Sequence, residues 1–82
     1  VNKFKKMKLF TVNSKNERGT IYIMESDLVS ALKAEIKKKY NINNDVEILH
    51  NGQILEENDQ LSSIPINDGE TIQFNEIFKA GK

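Results

Sequence analysis

Only one stretch of this 82-residue chain carries helical periodicity, and the segments on both sides of it alternate every second residue instead. Val29, Leu32, Ala34 and Ile36 follow the i, i+3, i+7 pattern of one apolar stripe. Ser26 and Asp27 ahead of it are N-cap types, Lys37, Lys38 and Lys39 sit where a helix C-terminus favours cations, and Asn41 is a left-handed stop. The spacing therefore predicts one helix of about four turns. A lone amphipathic helix must bury its stripe against something, and the remaining elements offer only a sheet.

The strands follow from period-two alternation. Met7, Leu9 and Thr11 alternate with Lys8, Phe10 and Val12, and after the polar loop 13–19 Ile21 and Ile23 alternate with Thr20, Tyr22 and Met24. Beyond the helix, Val46 and Ile48 alternate with Glu47 and Leu49. Asn51-Gly52 then marks a two-residue hairpin, because both positions tolerate positive φ. Leu61, Ile64 and Ile66 around Pro65 read as a buried connection, and Asn67-Asp68-Gly69 turns into a last strand with Ile72 and Phe74 on one face. The order is β-β-α-β-β-β, an α+β mixed sheet packed on one helix. Its predicted core is Met7, Leu9, Ile21, Ile23, Val29, Leu32, Ile36, Ile42, Val46, Ile48, Leu55, Leu61, Ile66, Ile72 and Phe74. We expect residues 1–6 to be an upstream segment, 7–78 the domain and 79–82 a short tail.

A domain of this size buries only about 60–65% of its unfolded surface, which leaves little chain for a deep catalytic cleft. The absence of cysteine excludes disulfides, a thiol nucleophile and thiolate metal sites. His50 is the only histidine and has no companion for metal or acid–base work, so we expect a half-buried or solvated structural residue. The four glycines are scattered one per turn or end rather than grouped into a phosphate loop. No catalytic residue, metal, cofactor or small-molecule substrate is expected. The apolar run Ile21–Met24 is far short of the roughly 20 residues of a membrane helix, and no signal core precedes it. The expectation is a soluble, intracellular and cytoplasmic chain without a membrane partner.

Zero net charge conceals a strong segregation. Residues 1–39 hold ten of the twelve cations and four anions, whereas from Tyr40 to Phe78 there are eight anions and no Lys or Arg. We expect strands of the two halves to lie side by side and neutralise each other. Eleven lysines to one arginine disfavours nucleic-acid recognition, which leans on Arg and interleaved aromatics.

From Met7 onward the chain resembles ubiquitin and its relatives. The resemblance rests on the opening Met-Lys-Leu-Phe, the helix 26–37, the hairpin Asn51-Gly52-Gln53-Ile54-Leu55 and the segment Leu61–Ile66, all in register apart from about one deleted residue near Asp45. It implies a β-grasp fold and a non-catalytic, monomeric protein-interaction module. Residues 52–61 also resemble the small ubiquitin-like accessory proteins of Gram-positive type VII secretion. Covalent modifiers of the family end in Gly-Gly, whereas Ala80 stands at the first of those positions here and Lys82 follows Gly81. The resemblance thus leaves Gly81, once exposed, as a possible conjugation terminus. The family's apolar recognition patch falls on Ser14, Leu49, Gln73 and Asn75, where only Leu49 is apolar. Glu47 and Gln53 replace expected cations, so typical ubiquitin receptors are expected to bind weakly and chain building at Gln53 is out of reach.

Alternation nonetheless turns Phe10, Val12, Leu49 and Ile77 outward, with Tyr22 on the neighbouring strand, and adjacent outward apolar residues can form a contiguous patch. We therefore expect the partner site on the outer sheet face at Phe10, Val12, Leu49, Asn75 and Ile77. The edge strand Thr20–Met24, beside Ala31 and Glu35, is a second docking candidate by strand addition, weakened by the expected lack of a basic rim.

Overall fold

The helical stretch is shorter and differently capped than its sequence predicts. In the computed structural model, which describes residues 5–78, the helix α1 runs Val29–Tyr40, just over three turns. Neither Ser26 nor Asp27 caps it. Asp27 Oδ2 accepts the Met24 amide instead, and the N-cap is Leu28, which has no polar side chain. The amides of Val29 and Ser30, which have no partner within the helix, donate to the carbonyls of Asp59 and Glu57, and Leu61 N donates to Asp27 O. Backbone from a distant loop thus satisfies the helix start that capping side chains were expected to satisfy. Asn41 does stop the helix in the left-handed conformation, φ 58°.

Five strands surround this helix: β1 (Lys6–Val12), β2 (Arg18–Met24), β3 (Asp45–His50), β4 (Gln53–Ile54) and β5 (Thr71–Ile77). They pair in the order β2-β1-β5-β3-β4, with β1 and β5 parallel and all other pairs antiparallel. Asn51 and Gly52, φ 53° and 80°, form the two-residue β3–β4 turn, as the Asn-Gly pair predicts. The loop before β5 is tied to β1 by three bonds: Lys8 N to Asp68 Oδ1, Gly69 N to Lys8 O and Phe10 N to Glu70 O.

One sheet face carries the core. Met7 and Leu9, Ile21 and Ile23, Val46 and Ile48, and Ile72 and Phe74 close over Val29, Leu32 and Ile36, all three of which are fully buried. Ile42 is only partly buried, because it lies in the connection after the helix rather than beneath it. Ala34 is exposed, and Ala31 packs against the core in its place. That shift follows from a helix face in which i, i+3 and i+7 are Val29, Leu32 and Ile36.

The inward position Thr11 is polar, and its environment explains a glycine. Thr11 Oγ1 and Tyr40 Oη are 2.7 Å apart, and the Tyr40 ring meets Phe74 edge-on at 4.7 Å. Gly19 lies across from Thr11 in β2, where a Cβ would stand 2.8 Å from Tyr40 Oη and 3.2 Å from Thr11 Oγ1. The sequence reads Gly19 as part of the loop; in the structure it is the gap that admits the Tyr40 hydroxyl.

Leu32→Ala is expected to cost about 2–5 kcal/mol in urea unfolding; an unchanged midpoint would contradict its place in the core. Gly19→Ala is expected to destabilise by about 1–3 kcal/mol, and adding Tyr40→Phe to recover part of that loss by removing the clashing hydroxyl. Additive losses in the double variant would show that Tyr40 is not what Gly19 accommodates.

Candidate functional site

With the helix on one face, no element among the described residues covers the opposite face of the sheet, and strand register fixes what it displays. Val12 pairs with Gln73 and Gln73 with Leu49, which in turn pairs with Ile54, so these four share a cross-strand row on β1, β5, β3 and β4. The preceding row holds Phe10 opposite Thr20 and Thr71. The following rows hold Asn75 opposite Glu47 and Ile77 opposite Asp45. Phe10 is 36% exposed, Ile54 59% and Ile77 37%, and Leu49 is half-buried.

The expected surface changes in two ways. Val12 does face outward but is only 8% exposed, because it lies inside the cross-strand row rather than at an edge, so it offers little of its side chain to the surface. Asn75 is half-buried, and its Nδ2 donates to Glu47 Oε2 at 3.2 Å, so it is held by the sheet itself. Phe10, Leu49 and Ile77 keep outward positions, although Ile77 lies two rows from Leu49. Ile54 was missed. The signal was present: Asn51-Gly52 fixes a two-residue turn, which forces Ile54 opposite Leu49 and onto the same face.

The surface is electrostatically polar along its length. Lys6 and Lys8 lie on the outward face of β1, with the Lys8 ammonium 5.1 Å from the Phe10 ring centre, and Asp45 and Glu47 lie at the far end of β3. The order β2-β1-β5-β3-β4 places the two cation-rich strands on one side and the anion-rich ones on the other, meeting only at the β1–β5 seam. Within the sheet the expected side-by-side placement of the two halves is confined to that boundary, and a further contact between them is made off the sheet, from α1 to the loop after β4. Among the described residues the ion pairs are Lys33–Glu57 at 3.4 Å and His50–Glu70 at 3.0 Å.

His50 is buried rather than half-buried or solvated, 6% exposed, because it takes the inward position after Val46 and Ile48 on β3. A carboxylate only accepts, so Nε2 donates to Glu70 Oε2. The Asn67 amide and His50 hold the Glu70 carboxyl below the ordinary carboxylate range. This pair ties β3 to the turn before β5, and among the described residues no third ionisable side chain bonds to it. Among the described residues, no group of three or more acidic or histidine side chains is arranged to hold a metal, and no helix is long and apolar enough to cross a membrane.

The β2 edge differs from expectation. Thr20, Ile21 and Tyr22 line a cleft of about 360 Å³ with Glu35, Lys38 and Lys39, so two lysines of the last helical turn supply the basic rim expected to be lacking. Ala31 packs on the core instead. Gly81, the possible conjugation terminus, lies outside the described residues.

A model of the ubiquitin family matches residues 10–76. No curated protein matches the chain. Among solved structures, the UBL domain of Plasmodium falciparum Dsk2 superposes with a TM-score of 0.80 at 17% identity, covering 89% of this chain and 100% of that one. At that identity the likeness is one of fold: a five-stranded β-grasp sheet around one helix.

Because the Glu70 carboxyl is held low in the folded state, its contribution is complete above about pH 4.3, the unfolded value, and is lost as pH falls through the lower folded value. Glu70→Gln is thus expected to be less stable than the parent in urea unfolding at about pH 7, with the gap closing below about pH 4. A gap independent of pH would show that the carboxylate charge contributes nothing.

Proposed function

The chain belongs to the ubiquitin family, and from that premise we propose that it is a non-catalytic protein-interaction module that docks its partner on the outer sheet face. The observation that carries this reading is the row from β1 to β4. Leu49 and Ile54 stand side by side on it with Phe10 one row away, on the sheet face opposite the helix. Apolar groups gathered on adjacent strands of one face favour association, where single scattered ones would not.

The composition of the face also separates it from the patch the family resemblance implies. Gln73 and Asn75 make its centre polar, and Glu47 sits where a cation is expected. A receptor built for an apolar patch in a basic ring would leave Gln73 unpaired and meet a repulsive carboxylate. The partner is accordingly a protein that accepts a mixed apolar and amide surface.

The test is affinity capture from extracts of the source cells with the parent chain, with Leu49→Ala/Ile54→Ala, and with Ala34→Ser on the exposed helix face as control. The double variant is expected to lose proteins that parent and control retain, with thermal stability close to the parent because Ile54 is exposed and Leu49 only half-buried. Equal capture by all three would reject the outer face as the docking surface.

A further inference from the structure

The turn between β3 and β4 brings together the two groups of a reaction that the chain can carry out on itself. An asparagine loses its side-chain amide when the main-chain nitrogen of the next residue attacks its Cγ, and glycine is the most permissive next residue because no Cβ crowds the attacking nitrogen. Of the ten asparagines in the sequence, only Asn51 precedes a glycine. The fold sets Asn51 apart for a second reason. Asn13, which precedes the small Ser14, is held: its Oδ1 accepts the amides of Lys15 and Glu17, and its Nδ2 donates to Glu17 Oε1. Asn44 and Asn75 likewise donate to Glu76 and Glu47.

Asn51 and Gly52 are both exposed, and among the described residues nothing bonds to the Asn51 side chain or to the Gly52 amide. Apart from the adjoining residues, no atom comes within 4 Å of the place a Cβ on Gly52 would take. Water therefore reaches both reacting groups. The turn itself is lightly secured. β4 is two residues long, and the pairs His50–Gln53 and Leu49–Ile54 with the bond from Leu55 N to Ile48 O are what close it. A hairpin tip held over so short a ladder opens locally while the core stays packed, which lets the Gly52 nitrogen swing onto Asn51 Cγ.

We propose that Asn51 is a site of spontaneous modification in the folded protein, cyclising onto the Gly52 nitrogen and then taking up water to give aspartate and isoaspartate. The Gly52 nitrogen gives up its proton and bonds to Asn51 Cγ, the Cγ–Nδ2 bond breaks, and ammonia leaves with that proton, so the succinimide forms without oxidant or reductant. Water then opens the ring. Cleavage at Cγ leaves aspartate at position 51, whereas cleavage at the main-chain carbonyl leaves isoaspartate, whose backbone runs through Cβ and Cγ. Either product adds one negative charge to a chain of zero net charge, within the stretch Tyr40–Phe78 that has no Lys or Arg. Isoaspartate also inserts a backbone carbon into a two-residue turn, and that turn sets Ile54 opposite Leu49. This chemistry is independent of what docks on the outer face.

The test keeps the full chain folded for days in mildly alkaline buffer at physiological temperature, beside a copy unfolded in guanidinium chloride, and cleaves both after glutamate. That cut releases Ile48–Glu56, in which Asn51 is the only asparagine. In the folded chain this peptide is expected to gain the mass difference between hydroxyl and amide, to accept a methyl group from an isoaspartyl methyltransferase, and to be modified well ahead of the peptide carrying Asn13. Unfolding frees Asn13 from its three bonds, and the gap between the two should narrow. The intact modified chain should bind an anion exchanger more tightly, and amide NMR of the isoaspartyl form should show shifts centred on residues 49–54. Gly52→Ala should lose most of the mass gain; Asn51→Gln, which does not strain the φ of 80° at Gly52, should lose both gain and methyl label and suffices if the alanine variant fails to fold. An unmodified Ile48–Glu56 in the folded chain, whether or not it reacts when unfolded, overturns the proposal. So does modification of Asn13 at an equal rate in the folded chain, or a gain that survives Asn51→Gln.

Discussion

The parallel pairing of β1 with β5 is the constraint from which the remaining architecture follows. It is short, from Phe10–Thr71 to Val12–Gln73, yet it joins the first and last strands of the chain and makes the two hairpins one sheet. A parallel pair cannot be closed by a tight turn, so everything between the two strands, including α1, is the connection that makes the pairing possible. The turn at Asp68–Glu70 reinforces it with three bonds to β1, and His50 braces Glu70 from the core side. With both edges of the seam fixed, α1 has only one sheet face to cover, and the other is left to face outward.

The same seam sets the electrostatics. A sheet that alternated strands from the two halves of the chain would have cancelled their charges pair by pair. Within the sheet the strands of the two halves abut at a single boundary, with Lys6, Lys8 and Arg18 on one side of it and Asp45, Glu47 and Glu76 on or beyond the other. Long-range steering and local complementarity then act on the same surface: a partner approaching the outer face meets a field with direction as well as an apolar row. Net neutrality says nothing of this, since it is a sum and the surface is a distribution.

Particular residues show where sequence was enough. The Asn51-Gly52 turn, the left-handed Asn41 and the inward alternation of β1, β3 and β5 are local facts, decided by φ/ψ preference and by a period of two. They could be read directly, and the family's fold with them. The position of Ile54 opposite Leu49 is equally local, set by the two-residue Asn51-Gly52 turn. Ser26 and Asp27 show the opposite case. Their cap propensity is real, but the helix start is satisfied by carbonyls of Asp59 and Glu57, which arrive from about thirty residues away.

Sequence by itself determined the elements, their order, nearly all of the core and the polar centre of the outer face, because each depends on residues near one another along the chain or on one alternating pattern. Tertiary structure decided which outward residues remain exposed, as with Val12 covered and Ile54 open, and where Tyr40 finds room over Gly19. It also brought His50 to Glu70 and set the charged strands of the two halves on opposite sides of the β1–β5 seam. These are set by which strands become neighbours, and strand neighbours are chosen by the closing of the whole sheet rather than by any segment of it.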